Sequence, residues 1–453
     1  MLKNKTYQFS ARFFTIFLIV TFLLNEFLKN AMLKNVVTVL TLVMFLIGYL
    51  IMNRMNKIVC GILFAVGAFL LFRYQASWPE WQAAILKGLS TMVLLAFAAI
   101  LSMPFFYKPY QAELKNLCAR YVRSPGIFLL VTLFISFLLG FYMSVAAIPL
   151  IYSLLCDAAR EYKCHKAFVM AVCASNSLAM MCAPSVSAGV VPAATGISYS
   201  QMFTYGGIGA IILLFVSGVV FNGYAKKEGA VKKEAVNVEV DKKTLVMMIA
   251  LFAILIGLIL CIDNFTNISL LAGISLLALP FAFVFALLQG KIDVFKERMK
   301  GYWDKTMLTN PNVLAITGIC CFAGEGLRRA ESIRTVLGFF SANQSLYLLF
   351  PLIIIAVGVL ISIIGVHPHA VGALFASILT ADLLRTNPLG LSMIILVAWS
   401  VGLAATPFGA TANMASAACG LEVTEFTAKA NWKWSAAMIV AGALLCDFFT
   451  LFF

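Results

Sequence analysis

Long apolar stretches alternate with short polar segments along the whole chain. About 20 consecutive apolar residues are enough for a helix to cross the hydrocarbon core of a membrane, and stretches of that length recur from end to end. They lack the alternation of apolar and polar positions that is typical of membrane β-strands. The pattern predicts an all-α polytopic membrane protein with about eleven transmembrane helices, near residues 13–28, 36–53, 57–74, 88–106, 166–194, 203–224, 244–262, 266–289, 311–327, 388–420 and 432–452.

Two further apolar stretches have a length that does not suit a simple crossing. Residues 126–156 would form a helix about 46 Å long, against a hydrocarbon core of about 30 Å, and they are too few for two full crossings. Basic residues flank the stretch on both sides, which places both ends on one side of the membrane. We therefore predict a re-entrant hairpin that turns near Gly140–Ser144. Residues 345–381 predict a second hairpin, which turns at Gly365–His369.

Each predicted hairpin precedes a helix that polar and helix-breaking residues interrupt. The first is interrupted at Ser175–Ser177 and again at Pro184, and the second contains the run AATPFGATAN. The order of span, hairpin, broken helix and span therefore occurs twice, and an odd number of crossings makes the two copies inverted repeats. Paired broken helices in inverted repeats are typical of secondary transporters, with the binding site near the midplane. The predicted division is 1–84 for the N-terminal helices, 85–224 for the first repeat, 225–243 for a basic cytoplasmic linker, 244–310 for connecting spans with an amphipathic helix, and 311–453 for the second repeat.

The formal charge of +14 indicates how the protein is oriented in the membrane and does not change the predicted fold. Lysine and arginine cluster in short loops, as the positive-inside rule requires, so we expect the lipid bilayer and not nucleic acid as the large partner. The loops place the N-terminus in the cytoplasm and Phe453 outside, in a multi-pass protein of the cytoplasmic (inner) membrane. One loop disagrees, because Arg328, Arg329 and Arg334 would lie outside, offset in part by glutamates at 325 and 331.

Two segments resemble a known superfamily. The run AATPFGATAN is similar to the "TP-x-G-x-x-x-N" segment of the ion transporter superfamily, and CAPSVSAGVVPAATGIS is similar to its counterpart in the first repeat. That superfamily contains divalent anion:sodium symporters, arsenite pump membrane subunits and citrate transporters. The resemblance implies a non-enzymatic, elevator-type secondary transporter, commonly a homodimer. The Ser-Asn-Thr motif of the divalent anion symporters is absent from both predicted hairpin tips, so their dicarboxylate ligands do not carry over by residue.

Polar residues at membrane depth are costly unless they line a cavity or face other protein, so the tips and breaks are the candidate site. We expect one cluster to join Gly140–Ser144 to Ser185–Gly189, and the other to join Gly365–His369 to Thr406–Asn413. The predicted substrate-binding residues are Tyr142, Ser144, Ser175, Asn176, Ser177, His367, His369, Thr406 and Asn413. The predicted ion-binding residues are Gly140, Ser185, Ser187, Gly365, Pro407, Gly409 and Thr411. Because this set supplies oxygen atoms without a carboxylate, it favours Na⁺ as the coupling ion, and a proton carried by histidine is the alternative.

The two tip histidines admit several interpretations. They flank Pro368, and an imidazole there can donate to an anion, titrate, bind a metal or satisfy loose carbonyls of the turn. No cysteine or carboxylate is placed nearby to complete a metal site, so we expect no metal and no other cofactor. The predicted function is secondary active transport of a small organic anion of the carboxylate type, held by helix N-termini. The alternatives are a cation/proton antiporter, an anion exporter or export channel subunit, and an intramembrane enzyme that acts on lipid through His367 and His369.

Overall fold

A computed structural model describes residues 4–52, 54–106, 108–232, 238–266 and 268–453. The side chains of some residues inside helices, Tyr142 and Arg334 among them, lie outside the described part. Within the described residues all regular structure is helical, and eleven segments are long and apolar enough to cross a membrane. The prediction of a polytopic α-helical membrane protein is therefore confirmed. The eleven spans are not all the predicted ones. Ser345–Ile364 is long enough to be a span, whereas His165–Met181 and Val186–Thr195 form a helix pair bent by 41°.

The N-terminal part consists of helices that pack around a later one. Asn4 and Asn30 accept hydrogen bonds from the first backbone N–H groups that follow them, which fixes the starts of the first two helices. The first helix begins eight residues before its predicted start at residue 13, because Tyr7 is buried and donates a hydrogen bond of 2.7 Å to the Leu308 carbonyl. The helices are α1 (Lys5–Leu28), α2 (Ala31–Ile51), α3 (Arg54–Arg73), α4 (Trp78–Leu86) and α5 (Leu89–Leu101).

The next six helices contain the first predicted hairpin and the first broken helix. They are α6 (Lys108–Tyr121), α7 (Pro125–Met143), α8 (Ala147–Glu161), α9 (His165–Leu178), α10 (Val186–Thr195) and α11 (Tyr199–Lys227). A short 3₁₀ turn at Ser144–Ala146 joins α7 to α8. The predicted break at Pro184 is confirmed, since the helix is interrupted at 182–185. The expected interruption at Ser175–Ser177 is wrong, because α9 continues to Leu178. The two serines there donate to backbone carbonyls, which lets the helix hold them without unwinding.

The remainder of the chain holds the second hairpin and broken helix. Its helices are α12 (Lys242–Phe265), α13 (Leu270–Leu288), α14 (Ile292–Gly301), α15 (Met307–Leu327), α16 (Glu331–Ala342), α17 (Phe350–Ile364), α18 (Pro368–Ile378), α19 (Ala381–Leu384), α20 (Pro388–Ala405), α21 (Ala410–Cys419), α22 (Val423–Glu425) and α23 (Trp432–Phe452). A π-helical turn connects α14 to α15. The turn from α17 to α18 lies at the predicted place. Gly365 ends α17 with φ of 132°, a conformation that side chains with a Cβ rarely adopt.

Buried apolar side chains form two main clusters. The larger is centred on α7–α11 and α17–α23, and the smaller is formed mainly by α1, α2, α5 and α15. The two meet where α15 packs against α18, and a Cβ added at Gly324 would lie 2.8 Å from the Ser377 Oγ. Large apolar side chains on the outer surface, such as Phe72 at 78% and Val219 at 76% exposure, suit contact with lipid.

Candidate functional site

The first hairpin is tied to α9 by side chains of the predicted site. The Asn176 Nδ2 donates to the Ser144 carbonyl at 2.6 Å, and Ser144 itself adopts φ of 50°. A Cβ added at Gly140 would lie 2.7 Å from the same Nδ2, so the hairpin approaches α9 closely because residue 140 has no side chain. The Ser175 hydroxyl donates to the Leu133 carbonyl of α7. Ser175 and Asn176 therefore hold the hairpin through its backbone.

The break between α9 and α10 is closed by its own hydroxyl groups. The Ser187 Oγ donates to the Met180 carbonyl at 2.6 Å and lies 3.1 Å from the Ser185 Oγ. A helix break frees carbonyls at membrane depth, and this arrangement satisfies one of them. Gly189 lies against Leu271 of α13, since a Cβ there would be 1.9 Å from the Leu271 Cδ1. In the described part of the chain, Ser185–Gly189 thus contacts Met180 and α13, whereas the first hairpin tip contacts Asn176.

The second hairpin is joined to its broken helix by Thr406. This residue ends α20 and is fully buried, and its hydroxyl donates to the Ser362 carbonyl of α17 at 2.6 Å. The same Oγ1 accepts a hydrogen bond from the Phe408 backbone N–H at 3.2 Å. Gly402 lies one turn earlier, against Ser362 and Pro368. The structure therefore packs the first residue of the second break against the end of α17, and the preceding turn of α20 against Pro368 of the second tip.

The turn between α20 and α21 is held by Asn413. Its Nδ2 donates to the Pro407 carbonyl at 3.0 Å and to the Gly409 carbonyl at 2.8 Å. Among the described residues its Oδ1 has no hydrogen-bond partner. Thr411 follows the break and is only 2% exposed. The break thus presents an amide oxygen and a hydroxyl beside carbonyl groups that are held in place.

The two histidines of the second tip form a chain with a tryptophan that sequence reasoning missed. The His367 Nδ1 accepts from the His369 backbone N–H at 3.3 Å, and the His369 Nδ1 accepts from the Trp399 Nε1 at 3.0 Å. The two imidazole rings are 4.9 Å apart and nearly perpendicular. Trp399 lies in α20 and is fully buried, whereas His367 and His369 are half-buried residues. In the sequence, a tryptophan inside an apolar helix gives no sign of such a bond.

The second part of each broken helix packs against helices of the other half of the chain. The second part of the first broken helix, α10, packs against α18 and α20, and the second part of the other, α21, packs against α8 and α9. Each hairpin therefore contacts its own broken helix and the distal part of the other one. This exchange brings the predicted residues of both repeats into one region of the larger cluster.

The arginine-bearing loop after α15 carries more negative partners than the sequence suggested. Arg329 pairs with Glu80 of α4 at 2.7 Å, and Glu325 accepts from both Arg328 at 3.1 Å and Lys87 at 3.2 Å. Glu80 is distant in sequence, so it did not enter the predicted charge balance of this loop. Lys87 and Glu80 bring one positive and one negative charge to this region, so its net charge equals the count over the loop alone, although Arg329 is now paired with Glu80.

A cavity of about 280 Å³ lies beside Lys87, between the two clusters. Its walls come from α5, α10, α13, α15 and α18, together with Tyr199 of α11 and Asp263 of α12. None of the predicted substrate-binding or ion-binding residues lines it. The cavity marks a gap between the hairpin-bearing helices and the N-terminal ones.

One solved structure, that of the YdaH transporter, shares this fold at low sequence identity. The YdaH transporter of Alcanivorax borkumensis aligns with a TM-score of 0.56 and 13% identity, over 87% of this chain and 97% of its own. MtrF of Neisseria gonorrhoeae, described as one of a class of antimetabolite efflux pumps, aligns with a TM-score of 0.49 and 14% identity, over 80% of this chain and 81% of its own. At such identity the likeness to YdaH shows the fold alone. No curated protein sequence matches the chain significantly.

A family model identifies the chain more directly. The model for the DctM component of the tripartite ATP-independent periplasmic transporter matches residues 151–451. The match confirms the expected membrane transporter, but it is to a different family from the divalent anion:sodium symporters. Because it spans well over half of the sequence, the protein belongs to the DctM family of transporter membrane components.

Proposed function

We propose that this chain moves a small organic anion of the carboxylate type across the cytoplasmic membrane as a secondary active transporter driven by a sodium gradient. The observation that carries this proposal is that both broken helices lie against a hairpin and are bonded to it. Asn176 makes the bond to Ser144 in the first half, and Thr406 makes the bond to Ser362 in the second. Breaks of this kind place free helix ends at membrane depth, where they bind anions and cations.

The charge of the site favours an anion held without a cationic side chain. The sequences of α10, α17, α18, α20 and α21 contain no lysine, arginine, aspartate or glutamate. The N-terminal ends of α10, α18 and α21 supply backbone N–H groups with a partial positive charge. The imidazoles of His367 and His369 add side-chain donors. A carboxylate is a small anion that such donors can hold.

The second break supports sodium as the coupling ion. Hard cations prefer oxygen ligands, and the Thr411 hydroxyl, the Asn413 Oδ1 and the carbonyls of Pro407 and Gly409 are all oxygen atoms near one turn. A carboxylate that could relay a proton is absent from α20 and α21. A proton carried by histidine remains the second candidate.

The proposal extends to movement, orientation and partners. The hairpin-bearing cluster would move against the smaller cluster in an elevator motion. The protein would be a homodimer, and each chain would have its N-terminus in the cytoplasm and Phe453 outside. The family's description as one component of a tripartite periplasmic transporter adds the two other components of such a system as proposed partners. A C-terminal reporter that is active only in the cytoplasm should stay inactive, and its activity would contradict this orientation.

The test begins with ligand binding by the purified chain, which does not depend on other subunits. We expect acetate, lactate, fumarate or citrate to raise the thermal stability more with sodium than without it. In proteoliposomes, uptake of the stabilising anion should follow an imposed sodium gradient. Thr411→Val and Asn413→Ala should raise the sodium concentration for half-maximal stabilisation about tenfold, which corresponds to the loss of one ligand of about 1.4 kcal/mol.

The matched control is Thr427→Val, because Thr427 is also buried but donates only to nearby carbonyls of its own turn. It should leave the sodium dependence unchanged. The coupling ion would be the proton if uptake did not depend on the sodium gradient, followed an imposed pH gradient and was lost in His367→Ala. Absence of both binding and uptake for every anion tested would overturn the substrate class.

A further inference from the structure

The hydrogen bonds of His367 and His369 determine which nitrogen carries the proton in each ring. An indole N–H and a backbone N–H can only donate, so the nitrogens that accept from them must carry a lone pair. In both histidines that nitrogen is Nδ1, facing the His369 backbone N–H in one case and the Trp399 Nε1 in the other. A neutral imidazole with an unprotonated Nδ1 carries its hydrogen on Nε2. Both rings are therefore set as uncharged Nε2–H donors.

Protonation of His369 would disrupt this arrangement. An imidazolium has N–H groups on both nitrogens, so the Trp399 N–H would face another N–H. Trp399 is fully buried, and its donor would be left without a partner. The indole thus opposes both the charged ring and the alternative tautomer.

We propose that Trp399 is a positioning residue that holds His369 as a neutral Nε2–H donor, and that His367 and His369 together donate two uncharged hydrogen bonds to the anionic oxygens of the substrate. This inference rests on the proposed function for its ligand, a carboxylate whose two oxygens can accept from two neighbouring donors. Within the described part of the chain neither Nε2 has a hydrogen-bond partner, and both histidines are half-buried residues. The pair is a fixed donor site, and it does not carry the coupling proton.

The backbone of α18 is shaped to receive the indole. Gly372 lies three residues after His369, so both face the same side of α18. A Cβ added at Gly372 would lie 2.1 Å from the Trp399 Cε3 and 2.3 Å from the Cδ2. The absence of a side chain there is what lets the indole lie flat enough against α18 to reach the His369 Nδ1. Gly372→Ala therefore offers a second way to disturb the bond without removing the indole.

Few titratable groups face the pair from the surrounding helices. The helices packed against α18 are α10, α15, α17 and α20. Of these, only α15 carries titratable side chains, which are Cys320, Cys321 and Glu325. Gly324 contacts Ser377, eight residues beyond His369 and so about 12 Å along the helix, which places Glu325 at the far end. The only charged side chain on these helices is therefore remote from the imidazoles, which lie 4.9 Å from each other.

The decisive measurement is ¹⁵N NMR of the purified full-length protein with labelled histidine. The chain has only three histidines, so His367→Gln and His369→Gln assign the signals, and the remaining one belongs to His165. We expect wild-type His367 and His369 to show the neutral Nε2–H pattern from about pH 5 to 8, although a free imidazole titrates near 6.5. A wild-type His369 that is charged at about pH 6, or that carries its hydrogen on Nδ1, overturns the proposal.

Three variants test the role of the indole. Trp399→Phe should let His369 exchange between tautomers and raise its titration midpoint by about one pH unit or more, and Gly372→Ala should act in the same direction. Trp434→Phe is the matched control, because Trp434 is also fully buried and donates its Nε1 hydrogen to Ser217 Oγ at 2.8 Å. An effect of Trp434→Phe on His369 as large as that of Trp399→Phe would overturn the positioning role.

Transport separates this inference from the proposed function. Fumarate stays fully ionised between about pH 6 and 8, so its uptake should change less than about twofold in that range in the wild type and become pH-dependent in Trp399→Phe. Steep inhibition of wild-type uptake near pH 6.5 contradicts the inference while leaving anion transport intact. Failure to transport or bind any anion contradicts the proposed function, and the NMR result on the tautomers still stands.

Discussion

Thr406 shows how much one hydroxyl does at the second break. Its Oγ1 donates to the Ser362 carbonyl and accepts from the Phe408 N–H, so it joins α17, the end of α20 and the turn beyond. A buried carbonyl that loses its partner costs about 1–3 kcal/mol. The residue therefore stabilises the hairpin against the break, in addition to any contact with a ligand.

Thr406→Val keeps the shape of the side chain and removes both bonds. We expect it to destabilise the protein by about 1–3 kcal/mol and to reduce uptake, because the hairpin tip loses its anchor. Thermal unfolding in detergent and uptake in proteoliposomes measure the two effects. Unchanged stability, equal to that of the buried local threonine variant Thr427→Val, would contradict this role.

At the scale of residues, the sequence located the polar groups of the hairpin tips and helix breaks better than it predicted the partners of those groups. The Thr406–Asn413 run and the two histidines stand out because polar residues are rare in apolar sequence. Their partners are a carbonyl at Ser362 and an indole at Trp399, and neither is marked by composition or spacing. Contacts between helices 30 or more residues apart depend on packing, which no local pattern encodes.

At the scale of elements, α9 receives its N-terminal cap from another helix. Glu228 follows the end of α11 and accepts from the backbone N–H groups of Ala167 at 2.8 Å and Lys166 at 3.2 Å. A carboxylate there satisfies two free N–H groups and suits the positive end of the helix. Burial nevertheless raises the pKa of Glu228 above its ordinary value, an effect that these backbone bonds only partly offset.

The raised pKa gives a pH dependence of known sign. The folded state binds the Glu228 proton more tightly than the unfolded chain, so this group's contribution to stability falls as pH rises from about 4.3 through the raised folded pKa. Glu228→Gln does not titrate, so its melting temperature relative to the wild type should rise across that window and stay level below it. Melting curves of both proteins between about pH 4 and 8 test this, and a difference that falls with pH would contradict it.

The elements themselves were largely predictable. Apolar length located the spans, and the lengths of 126–156 and 345–381 correctly predicted helix pairs joined by a turn. The break at Pro184 was predicted correctly, whereas the interruption expected at Ser175–Ser177 is absent because these residues bond to backbone carbonyls inside an intact helix. The amphipathic helix α16 was missed, since its charged residues made residues 331–342 read as a loop.

At the scale of the whole molecule, the close crossing of α15 and α18 is where two clusters would have to slide if the hairpins move. Gly324 faces Ser377 there, and a larger side chain would collide with it. Gly324→Leu should reduce the uptake rate more than tenfold while anion-induced stabilisation of the purified protein persists, because binding involves a different region.

Gly257→Leu is the matched control for this variant. Gly257 lies in α12, and a Cβ added there would meet no atom within 4 Å. It should leave both uptake and binding unchanged. Full uptake by Gly324→Leu would contradict relative movement of α15 and α18.

The exchange of α10 and α21 between the two halves has a consequence for biosynthesis. The chain is made from its N-terminus, and α8 and α9 acquire their contact with α21 only when residues 410–419 have been inserted. Until then α10 also lacks the surfaces of α18 and α20. During synthesis the first half is therefore in the membrane with these helix faces uncovered. A product truncated within 225–243 should be degraded by membrane proteases and should not accumulate as a stable half-transporter.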